Sequence, residues 1–459
     1  MRNPTTAWTK GHEVVASNAI KAVGLTATPV FNSPRDLCGI CTAMDIGDNM
    51  KSISEWFVDK EKTRVNTATI KRLREAYVHR ADDSILNLPP ITHEYVNFDA
   101  SISPEAALDY NDTLRSALRI RFTMERNGRA NRDDMKKLMG LLQKNQQRLV
   151  SPMLAEVGAL EIKAEPELVE RAALEETGSL KALRDNLTML KSRGFSRVMV
   201  AACHTSLLKI ASAYLSKSCP ECGDIITYDG SLSQAKRNKA TSDFLGGENT
   251  VLLMSIDAGG TGLHLVPGAN AVVFWGSRPF SPMQILQTSK RVHRIGQHFP
   301  VVVLHLIAKG SVDHAINLVH GDKLTLSNAV LDMEMDSIEA EGGKWRTTGR
   351  IVDGCKYLNE DGIFPEEDIT EEQAVMMARG HRDLTLPDMS GLLGMSGSSV
   401  SNQLLISQPG FMDMLANALN SEPDMPPLPA SVAQALFANA ANLSNGALND
   451  VPMAMRPPI

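Results

Sequence analysis

The stretch that most limits what this chain can fold into runs from residue 251 to residue 297. It reads VLLMS, then IDAGGTGLHL, VPGA, NAVVFW and GSRPFSPMQILQTSKRVHRIGQ. Residues 251–255 and 271–275 are apolar runs of strand length bounded by turn residues, the pattern of strands covered on both faces. Gly259, Gly260 and Gly262 follow the first run, and a proline-rich turn follows the second. That turn leads into a segment of helical character carrying Gln287, Arg291 and Arg294. Three residues apart on a helix, Arg291 and Arg294 are expected on one face. Two planar guanidinium groups side by side offer charge-assisted donors that suit a phosphate.

The surrounding sequence extends the pattern. Strand-like runs at 197–202, 224–228 and 301–308 alternate with helix-like runs at 206–215 and 233–244. Alternation of this kind predicts an α/β fold with a parallel sheet and right-handed crossovers. Functional groups are then expected on loops at the carboxyl ends of the strands. Upstream, residues 110–124 and 132–153 predict amphipathic helices, residues 21–29 a short strand and residues 35–44 a helix. Beyond residue 323 the pattern fades. Helices are expected at 332–350 and 366–382, and a largely disordered, low-complexity segment from 391 onward with one short helix at 430–441.

The motifs carry a family resemblance. Residues 287–297, Gln-x-x-x-Arg-x-His-Arg-Ile-Gly-Gln, resemble the last helicase motif of the Swi/Snf-type ATPases of superfamily two. Residues 257–265, Asp-Ala-Gly-Gly-Thr-Gly-Leu-His-Leu, resemble the motif before it. Asp229-Gly230-Ser231 followed by Arg237 and Phe244 is similar to a further family segment, and residues 147–154 to one in the helical insertion between lobes. Leu25-Thr26-Ala27-Thr28-Pro29 with Asn32 resembles the strand end that couples ATP state to DNA grip. His79-Arg80 and Leu86-Asn87-Leu88-Pro89-Pro90 resemble the signature that closes the first lobe. The sequence departs from the family at Ala27, at His264, at Ser277, Phe280 and Ser281 ahead of the last motif, and at Lys290 just before Arg291.

The resemblance implies a partial first RecA-like lobe over residues 1–95, a helical insertion over 96–185, a complete second RecA-like lobe over 186–325, and an acidic helical, then low-complexity tail over 326–459. It implies ATP with magnesium bound between lobes, and Arg291 and Arg294 as catalytic arginine fingers. Gln287, Gly259, Gly260, Gly262 and Asp257 would lie on the nucleotide side. Thr26, Thr28, Asp229, Arg237 and Thr261 would contact DNA, mainly its backbone. The implied function is that of the C-terminal half of a double-stranded DNA translocase in chromatin remodelling or DNA repair, nuclear in a eukaryote, acting on DNA or nucleoprotein. No Gly-x-x-x-x-Gly-Lys-[Ser/Thr] phosphate loop and no Asp-Glu-x-His box occurs in the chain. In relatives the acidic box lies shortly before a segment like residues 1–4, so the chain is expected to start just downstream of it. The chain alone is therefore expected not to hydrolyse ATP, the missing parts being lost, or coming from a separate N-terminal ATPase half or from an upstream segment of the same polypeptide. The alternative is a non-catalytic DNA- or protein-binding module that keeps the scaffold.

Charge is distributed unevenly. Residues 331–459 hold 7 Lys+Arg against 19 Asp+Glu, a net of −12, leaving 40 basic and 34 acidic residues in 1–330, a net of +6. A mildly basic front suits a nucleic-acid partner, and it equally suits a solvated basic face. Six cysteines in 459 residues do not suggest a disulfide framework, and a reducing compartment is expected. Cys219-Pro-Glu-Cys222 has the spacing of a zinc knuckle but supplies only two of four ligands. A plain loop with two thiols is expected there, zinc being the weaker reading. No apolar run approaches the length of a membrane span, and the first residues have no signal-peptide pattern.

Overall fold

The computed structural model describes residues 7–25, 36–44, 46, 66–79, 83–127, 132–159, 162, 165–259, 263–321, 348–359 and 362–364. All of them belong to the first of two units, Met1–Gly380. The second, His381–Ile459, lies outside the described residues, as do the helices expected at 366–382 and 430–441. In chain order the elements are α1 (Ala7–Ser17), α2 (Asp36–Ala43), α3 (Thr67–Tyr77), β1 (Ile91–Phe98), α4 (Pro104–Arg126), α5 (Arg132–Val150), α6 (Pro152–Val157), α7 (Pro166–Ala173) and α8 (Gly178–Ser192). There follow β2 (Arg197–Ala202), α9 (Thr205–Ser218), β3 (Asp224–Tyr228), α10 (Gln234–Gly246), β4 (Thr250–Ser255), α11 (Ile256–Gly259), β5 (Ala271–Phe274), α12 (Pro282–Ser289) and β6 (Val301–Ala308). Residues 312–321 are helical, and Thr348–Gly354 forms a 3₁₀ turn.

The six strands form one sheet in the order β1-β6-β5-β2-β4-β3, every pair parallel. Every residue of β4 and β5 is buried, as a doubly covered strand requires. In register, Val200 lies between Leu253 of β4 and Val273 of β5. On one face Val198, Val200, Leu253, Val273 and Leu304 pack with Leu183, Leu187 and Leu190 of α8 and Leu207, Ile210 and Leu215 of α9. Trp275 belongs to this core, and its Nε1–H donates to the Ser179 carbonyl at 2.9 Å. On the opposite face Met199, Leu252, Met254, Val272 and Phe274 pack with Phe244 of α10 and Ile285 of α12.

Two boundaries differ from the sequence reading. β1 crosses position 95/96, where that reading divides a first lobe from an insertion, and it pairs along its length with β6. It escapes a pattern search because Thr92, His93, Glu94 and Tyr95 are all exposed at the sheet's edge. The helices α4 and α5 share a third core with Val312, Ile316 and Val319 and with Ile351, Val352 and Leu358. Residues on both sides of position 325/326 thus pack in the same core. The strand expected at 21–29 is not present over 21–25, and 26–29 lie outside the described residues. Helix α2 falls where a helix is expected.

Local signals set the helix ends. Ser103 caps α4 by accepting from the Ala106 amide, with Pro104 in the first turn. Thr177 caps α8 through Leu180 N–H, and its hydroxyl donates to the Val150 carbonyl at the end of α5. No described helix is long and apolar enough to cross a membrane.

Candidate nucleotide-facing site

The segment bearing the two candidate arginines begins as a helix and does not remain one. Pro282 opens α12, whose Met283, Ile285, Thr288 and Ser289 are buried. The helix ends at Ser289 with Lys290 as its cap. Tight turns follow, with Arg291 N donating to Thr288 O at 3.0 Å, Val292 N to Ser289 O at 3.1 Å and Gln297 N to Arg294 O at 3.0 Å. The expected shared helix face is thus corrected to a run of turns. Bonds spanning three residues preserve the three-residue repeat, which keeps Arg291 and Arg294 within electrostatic reach. Burial first, and then Arg294, hold Arg291 below the usual guanidinium range, while Tyr228 at the end of β3 acts in the opposite sense. The Arg291 Nε is buried without a hydrogen-bond partner.

The turn is clamped from both sides. Val292 is fully buried. The buried Gln297 amide donates to Ala269 O at 2.8 Å and Val292 O at 3.0 Å, and its oxygen accepts from the amides of His298 and Phe299. His293 Nε2 lies 2.7 Å from Pro89 O. A carbonyl only accepts, so that ring nitrogen carries the proton. The Leu-Pro-Pro stretch and the last motif are therefore joined directly.

Asp257 stands exposed in the first turn of α11, just past the carboxyl end of β4, and accepts from Gln284 of α12 at 3.1 Å. Gln287 lies half-buried on the same helix, and Gly259 ends α11. Gly260, Thr261, Gly262, Thr26 and Thr28 lie outside the described residues. Asp229 and Arg237 build a loop. Asp229 Oδ1 accepts from Ser231 N at 2.7 Å and Ser231 Oγ at 2.5 Å, and Arg237 donates to the carbonyls of Leu232 and Gly230. Cys219 and Cys222 form a disulfide, where two free thiols were expected. Cys219 follows α9 and Cys222 lies in a 3₁₀ turn, which leaves their Cα atoms 5.4 Å apart, within disulfide reach.

A polar cluster that no local sequence signal marks holds the β5–α12 connection. Asp313 accepts from Arg278 N at 2.9 Å and from Gln146 Nε2 at 2.5 Å, and Gln146 also donates to Arg278 O. The Arg278 guanidinium reaches His305 Nδ1 at 3.2 Å and His320 Nδ1 at 3.3 Å. Guanidinium donates only, so both imidazoles accept at Nδ1 and carry their protons on Nε2. His305 then donates to His93 Nδ1, 3.0 Å away, and His320 to Pro279 O. Burial, followed by Arg278, pulls His305 down to about 2, which keeps it neutral. Ser277, one of the family departures, is held through its backbone, its carbonyl accepting from Cys203 Sγ, while its own Oγ is buried without a partner.

The donor set on this lobe fits phosphate oxygens. It consists of two guanidinium groups, one with an unsatisfied nitrogen. Among the described residues no three His, Cys, Asp or Glu side chains converge as metal ligands.

Residues 178–296 match the helicase conserved C-terminal domain. The chain thus carries a helicase conserved C-terminal domain over these residues. DNA repair protein RAD5A of Arabidopsis thaliana is 33% identical over 170 residues, which are 36% of this chain and 16% of that protein. Chromodomain-helicase-DNA-binding protein 1-like of Mus musculus is 32% identical over 171 residues, 37% of this chain and 18% of the relative. The match thus spans less than a fifth of either relative. Among solved structures, the C-terminal part of the Fun30 ATPase domain is 19% identical, with a TM-score of 0.40, covering 55% of this chain and 99% of that one. The region matched to the helicase C-terminal domain includes the arginine pair and ends at Gly296.

Proposed function

We propose that this chain supplies the second-lobe half of an ATP-dependent double-stranded DNA translocase of the remodelling or repair kind. Nucleotide would lie between this lobe and a facing one that provides the phosphate loop and the magnesium-binding acidic box. The carrying observation is the convergence of Arg291 and Arg294 in one clamped turn, with a desolvated Nε lacking any partner. Two such groups stabilise charge that develops on a transferring phosphoryl group. Asp257, Gln284 and Gln287 shape the neighbouring rim, and Asp229 and Arg237 form a loop at the end of β3 that would face DNA.

Two further features support the reading. Large apolar residues of the N-terminal segments are strongly exposed, among them Val15, Ile20, Val23, Leu25 and Ile85, as on a surface that a facing lobe would cover. Proteins with matching sequence are named for DNA repair and for chromodomain-helicase-DNA binding, which favours a nuclear chromatin or repair setting.

The test is DNA-stimulated ATP turnover by the purified chain, alone and mixed with a polypeptide carrying a phosphate loop and Asp-Glu-x-His box from a Swi/Snf-type first lobe. Turnover is expected only in the mixture. Arg291→Lys and Arg294→Lys are expected to lower it by about 10³-fold or more, because lysine lacks the planar fork. The effect should fall on turnover far more than on nucleotide affinity. Turnover within about twofold of wild type for both variants would overturn the assignment.

A further inference from the structure

At the amino-terminal edge of the sheet, away from the strand ends that carry Asp257 and Asp229, lies an open groove of about 560 Å³. It is lined by Thr188, Lys191, Phe195, Ser196, Glu221 and Asn249, among others. The Lys191 amine is held by two backbone carbonyls, Ser196 O at 2.7 Å and Thr250 O at 3.1 Å. A tetrahedral ammonium fixed through two N–H bonds has one position left. In the neutral amine that position is the lone pair, and with both carbonyls occupied by N–H groups it is available to a molecule in the groove.

We infer that Lys191 is a nucleophilic modification site that accepts acyl groups from small activated acyl donors entering this groove. In the step, Lys191 first gives one ammonium proton to water. Its lone pair attacks the acyl carbon and the C–N bond forms. The C–S bond of a thioester, or the C–O bond of an acyl phosphate, breaks, the departing thiolate or phosphate keeps the bonding pair, and the attacking nitrogen releases a second proton to water. No electron donor or acceptor is required. Phe195 gives the acyl chain an apolar wall. The product amide has a single N–H, so one of the two carbonyls loses its donor. Ser196 O also accepts from Thr250 N at 3.0 Å and remains satisfied.

Electrostatics favour the same residue. Desolvation alone lowers Lys191 to about 8. Of the lining side chains other than Lys191 itself, only Glu221 is charged, and its carboxylate is engaged by the Thr188 hydroxyl at 2.5 Å. At pH 7.5 an amine titrating near 8 is neutral about 200 times more often than an ordinary lysine. Lower basicity takes back about tenfold of that, at a Brønsted slope of about 0.45 as for thiol nucleophiles. The net expectation is acylation about tenfold or more faster than at an exposed lysine.

The experiment incubates the full chain with acetyl-CoA or, separately, acetyl phosphate, and quantifies acetyl occupancy by peptide mass spectrometry at Lys191 and at Lys236 and Lys239 of α10. Lys191 is expected to lead by about tenfold, and its rate to level off above about pH 8.5. Lys191→Arg, which retains donors for both carbonyls, should abolish the fast phase while leaving occupancy at Lys236 and Lys239 unchanged. A lead with either donor supports the site and names the acyl source. Occupancy at Lys191 no greater than at Lys236 and Lys239 with both donors, or a rate that keeps rising tenfold per pH unit through pH 9, would overturn it.

Discussion

Arg291 should be a liability to the free chain, and this can be measured. Its Nε is buried without a partner, and Arg294 raises the cost of its charge. An unsatisfied buried donor costs about 1–3 kcal/mol. The side chain as a whole is only partly buried, so the lower end applies, and the repulsion from Arg294 is screened by solvent. Arg291→Met keeps the apolar stem that packs in the turn and removes both penalties. The variant should therefore be more stable than wild type by about 1 kcal/mol, which for a domain of this size raises Tm by roughly 2–4 °C. Thermal unfolding of the full chain followed by circular dichroism reads this directly. Tripolyphosphate, which offers the oxygens the turn lacks, should reverse the order. Saturating it to ten times its Kd stabilises the wild type by about 1.4 kcal/mol and the variant by clearly less. A variant that loses 1 kcal/mol or more, or equal stabilisation of both proteins by tripolyphosphate, would show that Arg291 is a packing residue.

Two further outcomes follow from the packing. In Gly178→Ala the new Cβ would fall 1.9 Å from Asp99 O and 2.5 Å from Ala100 O, both backbone atoms. α8 must then move off the end of β1, at about 3 kcal/mol, whereas Gly246→Ala meets nothing within 4 Å and should change the urea midpoint little or raise it; equal midpoints for the two would refute the close approach. Burial raises the Asp313 carboxyl above its ordinary value, so the folded state binds more protons than the unfolded one over the interval between them. Stability therefore falls as pH rises from about 4 toward the raised value, and Asp313→Asn, which keeps an oxygen for Arg278 N and Gln146, should flatten that slope in urea titrations; a wild-type slope of opposite sign would refute the assignment.

The strands legible in the sequence are those whose burial leaves a local trace. β2 and β6 occupy 197–202 and 301–308 as expected, because interior parallel strands need apolar residues in unbroken runs, and the edge strand β3 occupies 224–228 as expected through Ile225, Ile226 and Tyr228. β1 left no such trace. Exposed His93, Glu94 and Tyr95 interrupt any apolar run, and the strand is fixed by β6, some two hundred residues later in sequence. The end of α12 was equally hidden, since residues 290–297 keep a three-residue repeat in tight turns that a helix pattern shares. Asp313, Gln146 and Arg278 come from three separate segments, so no spacing rule connects them. The disulfide at Cys219 and Cys222 was visible as a spacing, which does not distinguish a bond from two ligands.

The two arginines that bracket α12 show how one crossover separates support from function. Arg278 is nearly fully buried, yet its guanidinium meets neutral imidazoles of His305 and His320, whose tautomers it fixes, and its backbone is tied to Asp313. That arrangement leaves the charge solvated by the protein and the connection immobile. Arg291, thirteen residues on, sits in a turn just as firmly anchored by Val292 and Gln297, but its own Nε is left unmet. A rigid backbone with an unsatisfied side-chain donor is preorganised for a ligand oxygen, because binding it orders nothing new and relieves an existing penalty. The same rigidity explains why the departures at Ser277 and Phe280 leave the turn intact, since the connection is held by Gln146 and Asp313 from outside the motif.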